Sequence, residues 1–129
     1  MKVLLIFLIF LGQQKYNTVI AENTVVKGSI VSDSSICIAG KVEGDVFSKD
    51  VILISKTGKV TSTNKIYAKD IIVEGQLKGN IECENKIILR STAHVIGDII
   101  CKVLVIEEGA FFEGNCKMTT EPRDTLGGK

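Results

Sequence analysis

Few side chains in this chain are equipped for acid–base, nucleophilic or metal chemistry. There is one histidine, His94, and there are four cysteines, Cys37, Cys83, Cys101 and Cys116. No two cysteines form a C-x-x-C pair and none lies near His94, so the spacing of a zinc site is missing. No Ser-His-Asp ordering, H-E-x-x-H helix motif, Gly-rich phosphate loop or G-x-G dinucleotide pattern occurs. His94 stands beside Val95 and reads as a solvated corner residue. A set of small polar residues, Asp45, Thr63, Asn80, Asp98 and Asn115, recurs at regular intervals. Only two of these five are carboxylates, which suits the satisfaction of turn backbone better than a cation. Catalytic, metal-binding and cofactor-binding residues are therefore expected to be absent. The four thiols read as reduced, small apolar fillers, with Cys83 and Cys101 as neighbours; an even count also admits two disulfides.

The elements that carry these residues repeat. A five-residue phrase of apolar, any, Gly, small polar, apolar recurs along the chain. It reads Val26-Lys27-Gly28-Ser29-Ile30, Val42-Glu43-Gly44-Asp45-Val46, Leu77-Lys78-Gly79-Asn80-Ile81, Val95-Ile96-Gly97-Asp98-Ile99 and Phe112-Glu113-Gly114-Asn115-Cys116. A degenerate copy, Val60-Thr61-Ser62-Thr63-Asn64, fills the gap. The leading apolar residues are spaced by 16, 18, 17, 18 and 17 residues. Ala39-Gly40, Thr57-Gly58, Glu74-Gly75, Thr92-Ala93 and Glu108-Gly109 form a second set of corners. Between the two sets lie apolar, β-branched runs such as Val51 to Ile54 and Val103 to Ile106. Gly turns corners at positive φ, and Ser, Asp, Asn and Thr beside it satisfy corner backbone groups locally. A strand of three to five residues buries nothing alone, so copies must stack at ~4.8 Å. The expectation is an all-β parallel solenoid of about six rungs of 16–18 residues, roughly 30 Å long. Ile30, Val46, Ile81, Ile99 and Cys116 should form one inward column, with Asn64 as its exception. No sustained 3.6-residue period argues for helices.

Composition agrees. With 129 residues the chain suits one domain. Sixteen Lys and Arg against fifteen Asp and Glu leave no basic surplus for nucleic acid. Three parts are expected: an apolar leader at 1–15, the solenoid at 16–118, and a polar tail at 119–129. The leader contains an unbroken apolar run, Val3, Leu4, Leu5, Ile6, Phe7, Leu8, Ile9, Phe10 and Leu11. As a helix the run reaches only ~14 Å, too short for a hydrocarbon core of about 30 Å. It reads as a retained membrane-targeting anchor, with a signal peptide or a misassigned start as alternatives.

The repeats, and above all the ending Glu108-Gly109-Ala110-Phe111-Phe112-Glu113-Gly114-Asn115-Cys116-Lys117-Met118, resemble the bactofilin family over about residues 18–118. The resemblance implies a right-handed, three-sided β-helix. It implies end-to-end assembly into filaments without nucleotide, and a cytoplasmic scaffold at the inner face of the membrane that places cell-wall enzymes or shapes the cell. The leader is longer, and the tail shorter, than in many members.

A solenoid exposes unpaired strand edges and an apolar cross-section at each end. Ala110, Phe111, Phe112 and Met118 at the C-terminal rung, and Val19, Ile20 and Val26 at the N-terminal rung, are therefore the expected polymer interfaces. Two other function classes stay open. A left-handed β-helix acyltransferase uses rungs near eighteen residues, but its strict six-residue repeat is not kept here. An exported β-solenoid binding module requires the leader to be cleaved, which intact mass would reveal.

Overall fold

The computed structural model describes residues 16–119, which form sixteen short strands and no helix. They wind into six rungs. The first is β1 (Tyr16–Ile20), β2 (Val25–Lys27) and β3 (Ile30–Ser32); the second is β4 (Ser35–Ile38), β5 (Lys41–Glu43) and β6 (Val46–Ser48). The third is β7 (Val51–Ile54), β8 (Lys59–Thr61) and the first part of β9 (Ile66–Val73). The fourth runs from the second part of β9 through β10 (Gln76–Lys78) to the start of β11 (Ile81–Leu89). The fifth is the end of β11 with β12 (His94–Ile96) and β13 (Ile99–Cys101). The sixth is β14 (Val103–Ile106), β15 (Phe111–Glu113) and β16 (Cys116–Met118). Every strand pairing is parallel, giving a three-sided solenoid. The second face is a six-stranded sheet; the first and third are joined into one ten-stranded sheet by β9 and β11, which run round a corner.

The second face keeps the expected spacing throughout. Val26, Val42, Val60, Leu77, Val95 and Phe112 stack in register as a single inward column. Ile36, Ile52, Ile71 and Ile87 form a fully buried column on the first face, beside Ile38, Ile54, Val73 and Leu89. Each such side chain contributes on the order of 1.5–3 kcal/mol of burial.

The third face corrects one expectation. Its inward column is Ile30, Val46, Ile66, Ile81, Ile99 and Cys116, and Asn64 is exposed. Ser62 stands where its neighbours have Gly, and the corner Ser62 to Lys65 is two residues longer. The extra length restores an isoleucine to the column. The Asp45 carboxylate of the rung below holds this corner. It accepts hydrogen bonds from Ser62 Oγ (2.7 Å), the Asn64 amide (3.0 Å), Asn64 Nδ2 (3.2 Å) and the Lys65 amide (3.2 Å). The Ser62 hydroxyl foremost, then the Asn64 amide, hold its pKa down at about 2.

Elsewhere the corners depend on glycine. A Cβ on Gly44 (φ +152°) would stand 2.1 Å from the Gly28 carbonyl oxygen, and one on Gly97 (φ +141°) would stand 1.9 Å from that of Gly79. These corners approach their neighbours backbone to backbone. Threonine serves another corner, where Thr57 Oγ1 donates to Ala39 O at 2.7 Å and Thr92 Oγ1 to Glu74 O at 2.6 Å, each one rung below.

Two predictions follow from the corners. Gly97→Ala should cost about 3 kcal/mol or more, because strain and a backbone clash add. Gly28→Ala should cost only about 1–2 kcal/mol, since a Cβ at Gly28 (φ +125°) meets nothing within 4 Å. Thermal unfolding compares them, and equal losses would contradict the stacked-glycine account. For Asp45, the folded value lies below the unfolded value of about 3.9. Its contribution is therefore complete above pH ~4 and lost as pH falls through about 2. An NMR titration should place the Asp45 midpoint near 2; a midpoint near 4 would mean that the carboxylate does not hold the corner.

Candidate functional site: the two open ends of the solenoid

Each interior rung hydrogen-bonds to a rung above and a rung below. Among the described residues, strands β1, β2 and β3 have partners on one side only, as do β14, β15 and β16. Each end therefore presents backbone donors and acceptors beside the last members of the core columns. Such edges are templates for further strand pairing.

At the C-terminal end Phe112 closes the second-face column and packs, half-buried, on the core with Ala110. Met118 closes a third-face column above Cys101 and is 48% exposed. Phe111 points the other way. It lies in register with the exposed His94 and stacks on that ring, with centroids 4.4 Å apart, so it belongs to the outer rim. His94 is accordingly a strand residue of the second face rather than a corner residue. Two residues of the end were not anticipated. Leu104 stacks on Ile87, and Ile106, 48% exposed, stacks on Leu89. Their signal was the apolar run Val103 to Ile106, which the last phrase of the repeat overshadowed.

At the N-terminal end Val26 is half-buried on the inward column of the second face. Ile20 pairs with Ile38 and is already buried, whereas Val19 pairs with the outward Cys37 and is 53% exposed. Ile30, half-buried at the start of the third-face column, completes this end. The two ends are alike in chemistry. Both present aliphatic or aromatic column members with few charges among them, framed by open strand edges. The leader run Val3–Leu11 and most of the tail lie outside the described residues.

The reactive groups point to packing. All four thiols are free. Burial pushes the Cys101 thiol up to about 12 and the Cys83 thiol up to about 11, so neither supplies thiolate near neutral pH. Cys83 donates to the carbonyls of Lys69 (2.9 Å) and Lys86 (3.1 Å), the corner duty that Ser48 performs two rungs earlier by donating to Ser34 O (2.7 Å). Ala68 stands between them in the same column. Cys101 follows Cys83 there, as the register of Ile81 with Ile99 requires. Asp98 accepts from the amide and side chain of Asn115, both at 3.3 Å, and Asn80 donates to Asn64 O at 3.3 Å. Asp45, Asn80 and Asp98 of the small polar set thus satisfy corner groups. Among the described residues, no group of three or more His, Cys, Asp or Glu side chains is arranged to hold a metal ion. Among them, too, no helix is long and apolar enough to cross a membrane. The depression beside the Asp45 corner is lined by Lys41 and Glu43, paired at 3.1 Å, and by Asp45, whose carboxylate is already engaged.

Comparison with known proteins agrees with this geometry. The family model for bactofilin, described as polymer-forming cytoskeletal, matches residues 18–117. Bactofilin BacO of Myxococcus xanthus (strain DK1622) is 32% identical over 107 residues, covering 83% of each chain. Bactofilin BacP of the same organism is 28% identical over 102 residues, or 79% of this chain and 42% of BacP. The solid-state NMR structure of the cytoskeletal bactofilin BacA superposes with a TM-score of 0.70 at 28% identity, covering 81% of this chain and 97% of that one. This six-rung parallel solenoid, matched over nearly all its described length, belongs to the bactofilin family of polymer-forming cytoskeletal proteins.

Proposed function

We propose that the chain is a structural scaffold, not an enzyme, whose solenoids stack end to end into filaments without nucleotide. The observation that carries this reading is the apolar cross-section at the sixth rung, Leu104, Ile106, Phe112 and Met118, framed by three strand edges that have no further partner among the described residues. A second copy placed there continues the ladder and removes the cross-section from water. No cofactor is needed, because the gain comes from apolar burial and backbone pairing. The apolar leader Val3–Leu11 fits a membrane-targeting segment. A filament held at the inner face of the cell membrane by many such leaders would gain avidity from their number. Cell-wall enzymes are the class of partner that such a scaffold would position.

Phe112→Arg places a charge in the end cross-section, where five rungs of core remain beneath it. The variant should keep its β circular dichroism and unfold within a few degrees of the parent. Its critical concentration for assembly, read by sedimentation and electron microscopy, should rise at least about tenfold, equivalent to ~1.4 kcal/mol per contact. A folded variant that polymerises normally would remove the ends as interfaces. For the leader, replacing Val3–Leu11 by Ser and Gln should abolish co-sedimentation with anionic vesicles while filaments persist. Undiminished lipid binding would assign membrane contact elsewhere.

A further inference from the structure

The first face carries an anomaly. Its strands read Ile36-Cys37-Ile38, Val51-Ile52-Leu53-Ile54, Ile71-Ile72-Val73, Ile87-Ile88-Leu89 and Val103-Leu104-Val105-Ile106. Unbroken apolar runs are the mark of parallel strands covered on both sides. Among the described residues, only one side is covered here. Val19, Cys37, Leu53, Ile72, Ile88 and Val105 stack in register and point outward, and each is partly or largely exposed. The second face differs, for its outward side chains include Lys41, Lys59, Gln76 and His94. The stripe is continuous from the first rung to the sixth.

Charges flank the stripe in a particular order. On one side the in-register positions are Val51, Asp70, Lys86 and Val103. On the other, the residues that follow the strands are Ser55, Glu74, Arg90 and Glu107, matched by their equivalent amide bonds to the rung below. In both rows an acid on the fourth rung sits beside a base on the fifth. Two such faces related by a two-fold axis along the strands, between those rungs, bring Asp70 to Lys86 and Glu74 to Arg90 of the second copy. Ile72 then meets Ile88, Leu53 meets Val105, and Val51 meets Val103. Arg90 reaches Glu107 of its own chain at 3.1 Å and so enters the contact already oriented. The other two-fold, along the rod, sets Asp70 against Glu74 and Lys86 against Arg90, which repel.

We infer that the first face is a lateral interface for a second copy of this chain, with the two solenoids antiparallel and Ile72 of one against Ile88 of the other. With the axis between the fourth and fifth rungs, rungs three to six of each face overlap, a contact about 14 Å long and roughly 10 Å wide at ordinary strand spacing. That is well short of the ~800 Å² per partner of a stable complex, so isolated chains pair weakly. Stripes aligned along a filament add their contributions. The pairing itself does not rest on end-to-end assembly; only its strength in filaments does.

The test uses full-length Ile72→Cys and Ile88→Cys chains, each also carrying Cys37→Ala. Both positions point outward, so the core is untouched. The two chains are mixed, oxidised with copper–phenanthroline, and the bonds identified by peptide mass spectrometry. The expected product is the mixed 72–88 disulfide, at least about fivefold over 72–72 and 88–88. Dominant 72–72 and 88–88 bonds would overturn the antiparallel arrangement. Absence of any of these bonds would overturn the interface. Thiols protected only when anionic vesicles are present would give the face to a lipid surface, and thiols protected in the dilute monomer would give it to the leader Val3–Leu11; either result overturns the proposal. Whether the parent chain forms filaments is scored separately, so the two readings fail independently.

Discussion

Strands of three or four residues cannot hold themselves, and almost everything in this molecule depends on the parallel ladder that ties each rung to its neighbours. The ladder demands ~4.8 Å between rungs at the corners as well as in the strands. At the corners that demand becomes a composition rule. Where backbone passes over backbone, as at Gly44 over Gly28 and Gly97 over Gly79, a side chain has nowhere to go. Where the rule is broken at Ser62, the chain leaves the tight path, takes two extra residues, and relies on the Asp45 carboxylate to tie the wider corner down. Asp45 thus performs with hydrogen bonds what glycine performs elsewhere with shape.

The same ladder explains why the proposed end surfaces have so little chemistry in them. A stack of like rungs has no preferred length, so each end is a ladder interrupted. A protein that functions as a monomer covers such ends with charge, proline or a helix. At the C-terminal rung the described chain instead finishes on Phe112, Cys116 and Met118, with Ile106 exposed beside them. Buried, high-pKa thiols and a histidine stacked on Phe111 suit the stacking body proposed above. Membership of a polymer-forming cytoskeletal family is consistent with that physical picture.

Much of this was legible in the sequence, but unevenly. The second face followed directly from the Gly phrase, because its apolar residue precedes the corner glycine, or Ser62 in its place, by two positions, and the register from Val26 to Phe112 matched. The third face was misread at one rung, since counting from Ser62 as though it were glycine points to Asn64 and passes over Ile66. The ends were read partly. Phe112 and Met118 do close core columns, but Phe111 faces outward on His94, because strand alternation sends adjacent residues to opposite sides. Ile20, although it belongs to the first rung, is buried. Leu104 and Ile106 went unnoticed because an apolar run does not reveal which of its members lacks a rung above. The double-sided apolar character of the first face was visible as runs of Ile, Val and Leu. Its meaning emerged only once the register showed which residues point out.

The most direct test of the central claim is fibre diffraction from aligned preparations of the full-length protein, assembled without nucleotide or metal. Solenoids stacked end to end place their strands across the filament, so the account predicts a strong 4.8 Å reflection along the filament axis. A protein that remains a monomer or closed trimer, or filaments whose 4.8 Å spacing runs perpendicular to their length, would contradict it.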